Sequence, residues 1–156
     1  MKIRYRKYQA SDKKTLRDLV AKFYIDDPPT APASWMNIDR TIKEFKSRPT
    51  KGRIWIFERN HQVVGYAITV NYWANEYGGN FITIDELFVD RPFRRQGIAG
   101  GFIDYLVKNR INNSVGLQLE VHQHNRKVIK LYKEHGFKTD NILLSIEFDK
   151  ISKIKK

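Results

Sequence analysis

The sequence predicts an α/β protein: a single domain with a mixed, mostly antiparallel central sheet flanked by helices on both sides. Three observations carry this. Apolar residues recur with period two in some stretches and with helical period in others, so strands and helices interleave. Three strand-like stretches follow one another in the middle of the chain, separated only by turn residues, which makes that part of the sheet antiparallel. The later strands are separated by helical patterns, and no internal repeat or linker divides the chain, so the 156 residues suit one domain. The domain is expected over residues 1–150, followed by a basic tail at 151–156.

Each element has a local reason. "KIRYRKY" alternates Ile3 and Tyr5 with basic residues and reads as an opening strand. Ser11 offers a cap for a helix through "LRDLVAKFY", with Leu16, Leu19, Val20 and Phe23 on one face. The prolines of "IDDPPTAPAS" end that helix. Asn37 then caps a second helix with the stripe Ile38, Ile42 and Phe45, and Pro49 lies beyond its end. "RIWIFERN" and "QVVGYAITVNYW" flank Asn60-His61 as a hairpin, "ANEYGGN" is a turn-rich break, and "FITIDELFV" is a further strand. The loop "RPFRRQGIAGG" leads into a helix marked by Ile98, Phe102, Ile103, Leu106 and Val107. "VGLQLEV" is a strand, "NRKVIKLYKEHG" a helix closed by Gly136, and "NILLSIEF" a last strand after the Asp140-Asn141 turn.

Composition bounds the function. Hydrophobic residues at 41% and aromatics at 13% argue for a packed core and against disorder. The chain has no cysteine, which excludes thiol catalysis, disulfides and cysteine-bound zinc. His122 and His124 flank Gln123 without the spacing or acidic companions of a metal site, so no metal is expected. The start lacks the apolar stretch of a secretory signal, and no apolar run is long enough for a bilayer, so the expected location is cytoplasmic with no membrane partner. Twenty-nine Lys and Arg against 17 Asp and Glu give a net charge of +12, which favours anionic partners. A nucleic-acid partner is disfavoured, since neither an RNP-type basic-aromatic pattern nor a DNA-reading helix motif occurs.

The loop Arg91–Gly101 is where that charge gains a use. It joins a strand to a helix start, where backbone N–H groups lack intrahelical partners and the helix dipole is positive. Gly97, Ala99, Gly100 and Gly101 are small enough for an anion to approach those groups, and Arg94 and Arg95 add charge-assisted contacts. The pattern suits a pyrophosphate. It is neither a Gly-Lys-Ser/Thr phosphate loop nor a G-x-G-x-x-G fingerprint.

"FITIDELFVDRPFRRQGIAGGFIDYLV" resembles the coenzyme A-binding segment of the GCN5-related N-acetyltransferase (GNAT) superfamily, whose Arg/Gln-x-x-Gly-x-Gly/Ala loop is met by Arg94, Gly97 and Ala99. A second family element, an Asn after the fifth strand and a helix ending in Gly-Phe, is matched by Asn125, Tyr132, Gly136 and Phe137. The two cover about the C-terminal half in the family's order.

The resemblance implies acetyl transfer from acetyl-CoA, a cosubstrate, to a primary amine of a small molecule or protein by direct attack. It places the pyrophosphate on Arg95, Gln96, Gly97, Ile98, Ala99 and Gly100, and the pantetheine arm along Leu87, Phe88 and Val89. Asn125 is a candidate for an ordinary helix cap, or for a cap that also contacts the cofactor. Tyr132 becomes the proton donor to the departing thiolate, whereas periodicity alone would pack it with Val128 and Ile129. Glu86 becomes the candidate base, with Asp85 on the opposite strand face unless a bulge intervenes. The acceptor walls fall on Tyr24, Asp26, Asp27 and Trp35 in one loop and on Tyr72, Trp73, Glu76 and Tyr77 in another, aromatic and acidic residues suited to a cationic amine. A homodimer through a sheet edge is compatible with the family. The alternative reading is a CoA-binding or nucleic-acid-binding regulatory module of the same fold without turnover.

Overall fold

The computed structural model describes residues 3–28 and 37–139. Its elements are β1 (Arg4–Lys7), α1 (Lys13–Asp26), α2 (Asn37–Ser47), β2 (Gly52–Arg59), β3 (Gln62–Ala74), β4 (Gly79–Val89), α3 (Ile98–Asn109), β5 (Gly116–Leu119) and α4 (Arg126–Glu134). The strands form one sheet in the order β1-β2-β3-β4-β5. The first four pair antiparallel and β5 joins β4 in parallel. The mixed, mostly antiparallel sheet is therefore present. The strand expected at "NILLSIEF" and the boundary at residue 150 lie outside the described residues. Among the described residues no helix is long and apolar enough to cross a membrane.

Alternation along the strands divides the core in two. Ile54, Ile56, Tyr66, Ile68 and Phe88 face α1 and α2, where they meet Leu16, Leu19, Val20 and Ile38. Trp55, Phe57, Val64, Ala67 and Val89 face α3, where they meet Ile98, Phe102, Ile103 and Leu106. Phe102 is fully buried against Phe57 and Trp55, so its truncation to Ala would cost about 3–5 kcal/mol.

Two expectations are corrected. Ser11 does not cap α1: a 3-10 turn over Ala10–Asp12 precedes the helix, and Asp12 closes it by accepting from the Gln9 amide at 2.8 Å and from both terminal nitrogens of Arg6. A buried carboxylate with a bidentate arginine outcompetes an exposed serine hydroxyl for that role. The strand expected at "VGLQLEV" stops at Leu119, because β5 pairs with β4 only from Phe81 to Ile84.

The cause of the second lies in β4. Ile68 of β3 pairs with Glu86 and Thr69 with Ile84, so Asp85 is an extra residue, a β-bulge. The bulge changes the strand's phase: Phe88 faces α1, yet Ile84, four residues earlier, faces α3. Asp85 consequently turns to the α2 side with Glu86. It lines a cavity of about 370 Å³ with Arg40, Thr41, Glu44, Phe45, Ile68 and Val70. Strict alternation, which would set the two carboxylates on opposite faces, fails here.

Candidate active site

Beyond the bulge, residues 85–89 of β4 have no strand partner on the β5 side among the described residues, and the sheet is open there. Leu87 packs towards α3, Phe88 is buried towards α1, and Val89 closes the strand. The carbonyl of Val89 is already taken: it accepts from Arg94 Nε at 2.7 Å.

The loop after β4 is pinned at its base and open at its front. Asp90 accepts from the Arg91 amide at 2.9 Å and starts a 3-10 turn containing Pro92. Gln96 donates to the Pro92 carbonyl at 3.2 Å and accepts from Arg59 at 2.5 Å. Arg95 and Gly97 take left-handed conformations, with φ of 59° and 74°. Among the described residues, no backbone carbonyl accepts from the amides of Arg95, Gln96 or Gly97. Space is open where a Gly97 Cβ would stand. Ile98 and Ala99 continue this front as the first residues of α3.

Gly100 and Gly101 are small for another reason. A Cβ on Gly100 would lie 2.5 Å from His135 Nε2, and one on Gly101 2.6 Å from the Tyr5 hydroxyl. His135 is held by Asp104 at 2.9 Å, and Tyr5 donates to the Ile98 carbonyl at 2.8 Å. These two glycines admit α4 and β1 to the back of the helix.

The arginines do not simply face outward. Arg94 lies over the Phe88 ring, 5.1 Å from its centroid, and forms an ion pair with Asp26, which also pairs with Arg91. Those two guanidinium groups, Arg91 first, hold the Asp26 carboxyl below the usual carboxylate range. The open front with uncommitted amides and a left-handed glycine fits a pyrophosphate, and the unpaired stretch of β4 fits an extended pantetheine arm.

The last turn of α1 touches three parts of this region. Tyr24 donates to Glu86 Oε1 at 3.0 Å. Asp26 grips the loop. Asp27 lies 3.9 Å from His122 beyond β5, and its charge reaches Tyr132. Tyr132 is half-buried beside Phe137, and burial first, then Asp27, pushes its hydroxyl up to about 12. Asn125 stands at the start of α4, where its carbonyl accepts from Val128 and Ile129, while its side chain makes no capping bond.

Glu86 is the most constrained of these groups. Its second oxygen accepts from Tyr66 at 2.6 Å. Burial raises the Glu86 carboxyl above its ordinary value and Asp85 adds to this, while the two phenols, Tyr66 first, act in the opposite direction. Burial also raises Asp85. Both phenols are raised, by burial and then by the Glu86 charge, so each donates rather than accepts.

Other expected acceptor residues lie away from Glu86 but line one cavity with Tyr132, of about 1490 Å³. Trp73, Glu76 and Tyr77 sit at the far tip of the β3–β4 hairpin. Trp73 is five strand positions from Ile68, the partner of Glu86, or about 17 Å. Trp35 lies outside the described residues. Tyr66 was not foreseen, although a tyrosine inside the apolar run "VVGYAITV" signals a buried hydroxyl that needs a partner.

The open stretch of β4 lies between a helix start and a parallel strand, and sequence comparison adds to this geometry. The model of the acetyltransferase (GNAT) family matches residues 15–137. The chain belongs to that family. Its members use acetyl-CoA as acyl donor. A curated relative is the uncharacterized N-acetyltransferase YafP of Escherichia coli (strain K12), 23% identical over 107 residues. The match covers 69% of this chain and 59% of YafP, so the chain spans about three-fifths of that relative's length. Among solved structures, a possible acetyltransferase from Clostridium difficile 630 superposes with a TM-score of 0.78 at 21% identity, covering 93% of this chain and 97% of that one. A predicted acetyltransferase from Clostridium acetobutylicum, solved with acetyl-CoA, gives 0.75 at 21% identity, covering 96% and 98%.

Proposed function

We propose that this GNAT domain acetylates a primary amine, on a small molecule or a protein, by direct attack, with Glu86 as general base and Tyr132 as general acid. The observation that carries this reading is the Glu86 carboxylate, held by two phenols beside the open stretch of β4.

An alkylammonium has a pKa of about 10.4 and must lose a proton before it attacks. Glu86 accepts that proton, directly or through water. Burial displaces the Glu86 carboxyl upward from its ordinary value, which makes its carboxylate a stronger base. Bound acetyl-CoA supplies an acetyl group activated as a thioester. Residues 95–100 would hold its pyrophosphate through backbone amides, Asn125 would contact the cofactor from the start of α4, and residues 87–89 would align the pantetheine arm. The Tyr132 hydroxyl, pushed up to about 12, stays protonated at neutral pH and has a proton to give to the leaving sulfur. Asp27, Asp85 and Glu86 give the acceptor side local negative charge on a basic chain, which favours a cationic amine over a neutral one. Tyr24 forms part of its wall.

The test is CoA thiol release from acetyl-CoA by purified protein with a panel of polyamines, aminoglycosides, amino acids and peptides, beside Tyr132→Phe. Turnover with one amine class and a fall in kcat of about 10²-fold in the variant are expected. Acetyl-CoA that raises the Tm with no turnover on any amine would instead favour a binding module that does no chemistry.

A further inference from the structure

We propose that Tyr66 is the positioning residue of the site: from the buried face of β3 it fixes the orientation of Glu86 and holds its carboxylate in the ionised, proton-accepting form. The inference rests on the reading of Glu86 as the base and adds a residue that the family's sequence motifs do not mark.

Three observations converge on it. First, Tyr66 is fully buried, with its ring against Phe23 and Phe88, so its hydroxyl has little freedom of direction. A phenylalanine would fill the same apolar space; the hydroxyl has Glu86 as its recorded hydrogen-bond partner. Second, the register pairs Tyr66 with Phe88, which makes Glu86 its diagonal neighbour on the same sheet face. The β-bulge at Asp85 lies directly beyond this pair, so the strand's change of phase leaves the Tyr66–Glu86 contact on the α1 side. Third, no lysine or arginine among the described residues forms an ion pair with Glu86. The groups facing it are Tyr66 from β3, Tyr24 from α1 and Asp85 beside it on β4. From α2, Arg40 and Glu44 line the adjoining cavity, and Glu44 is neutralised by Arg48 and Lys51. Burial and the Asp85 charge both favour the protonated acid, so two phenolic donors are what oppose them. Of the two, Tyr66 is the shorter and more deeply buried contact, and hydrogen bonds strengthen where the dielectric is low. A carboxyl that already carries its proton cannot take another from an ammonium.

The experiment follows the Glu86 carboxyl directly, by carbon-13 NMR titration of the full chain labelled at the glutamate side-chain carboxyl, with Glu86→Gln to assign the signal. Tyr66→Phe should move the Glu86 titration upward by about one to two pH units, the scale of one lost charge-assisted hydrogen bond. Tyr24→Phe should move it upward by less. A Tyr66→Phe protein that melts cooperatively and titrates within about 0.3 units of wild type overturns the proposal, since that is far below the expected shift. A check independent of that variant uses the hydroxyl proton of Tyr66: it should give a downfield, slowly exchanging signal in the wild-type chain that Glu86→Gln displaces. A signal unmoved by Glu86→Gln also overturns the proposal.

The pH profile of kcat/KM, measured with acetyl-CoA and n-butylamine, separates this inference from the reading beneath it. If the acidic limb moves upward with the titration in Tyr66→Phe, both stand. If the titration moves and the limb does not, Tyr66 is confirmed as the group that sets Glu86, and Glu86 is not the base.

Discussion

Two carboxylates near the ends of the cleft are held in opposite ways. Asp26, at the end of α1, is gripped by Arg91 and Arg94 and lies below its ordinary pKa. Glu86, on β4, is buried, meets neutral donors and a second carboxylate among the described residues, and lies above its ordinary pKa. The first arrangement stabilises charge in order to hold a loop to a helix. The second leaves charge under-compensated, which keeps proton affinity available for chemistry. On the proposed reading, the carboxylate that binds structure is surrounded by cations and the one that takes a proton by phenols.

The largest expected effect tests that division. Glu86→Gln retains the volume and one acceptor, so the fold should persist while kcat/KM with the best amine falls by about 10²–10³-fold near neutral pH. A fall of less than about threefold, well below the usual contribution of a general base, would place Glu86 among the structural groups with Asp26.

The loop side can be divided in turn. Gly100→Ala meets His135 at the back of α3 and should lower stability by about 1–3 kcal/mol in denaturant unfolding, with CoA affinity little changed. Gly97→Ala meets no neighbour but forces a side chain into a left-handed conformation, about 1–2 kcal/mol, and should weaken CoA binding more than it lowers stability. Isothermal titration beside unfolding curves reads both. Equal effects of the two variants on CoA affinity would erase the distinction between front and back.

Stability against pH gives the two carboxylates opposite signs. A raised folded-state pKa means that the native chain binds the Glu86 proton more tightly than the unfolded chain, so this group lowers stability as pH rises from the unfolded value, about 4.3, through the folded one. Glu86→Gln should therefore raise the Tm at pH 7 to 8, with the gain fading as acid protonates the wild-type carboxyl. Thermal melts across pH measure it.

How much of this was legible beforehand follows from range. Period-two and helical patterns mark elements because they report local geometry, and the Arg94-Gly97-Ala99 loop with Tyr132 marks a family because both elements are contiguous. The bulge at Asp85 was not legible: the run "FITIDELFV" alternates plausibly in either phase, and only the pairing with β3 decides it. Gly100 and Gly101 look like neighbours of Gly97 in sequence but point to α4 and β1 across the helix. Trp73 and Tyr77 lie far from Glu86 along the β3–β4 hairpin, yet they line one cavity with Tyr132, a grouping that only the tertiary structure makes. Tyr66 and Glu86 are twenty positions apart, and their contact exists only through register.

The smallest predicted effect is the other half of the comparison. Asp26→Asn removes two ion pairs, but Arg91 is 70% exposed and Arg94 39%, so water and salt screen both. The lowered Asp26 pKa adds stability that is present above the unfolded value, about 3.9, and is lost as pH falls through the folded one. The variant should thus melt only about 1–3 °C below wild type at pH 7, less in 1 M salt, and level with it in acid. This runs opposite to Glu86→Gln in sign as well as in size. A destabilisation that persisted in high salt would mean that Asp26 anchors the loop through shape and not charge. The contrast would then lie in burial alone.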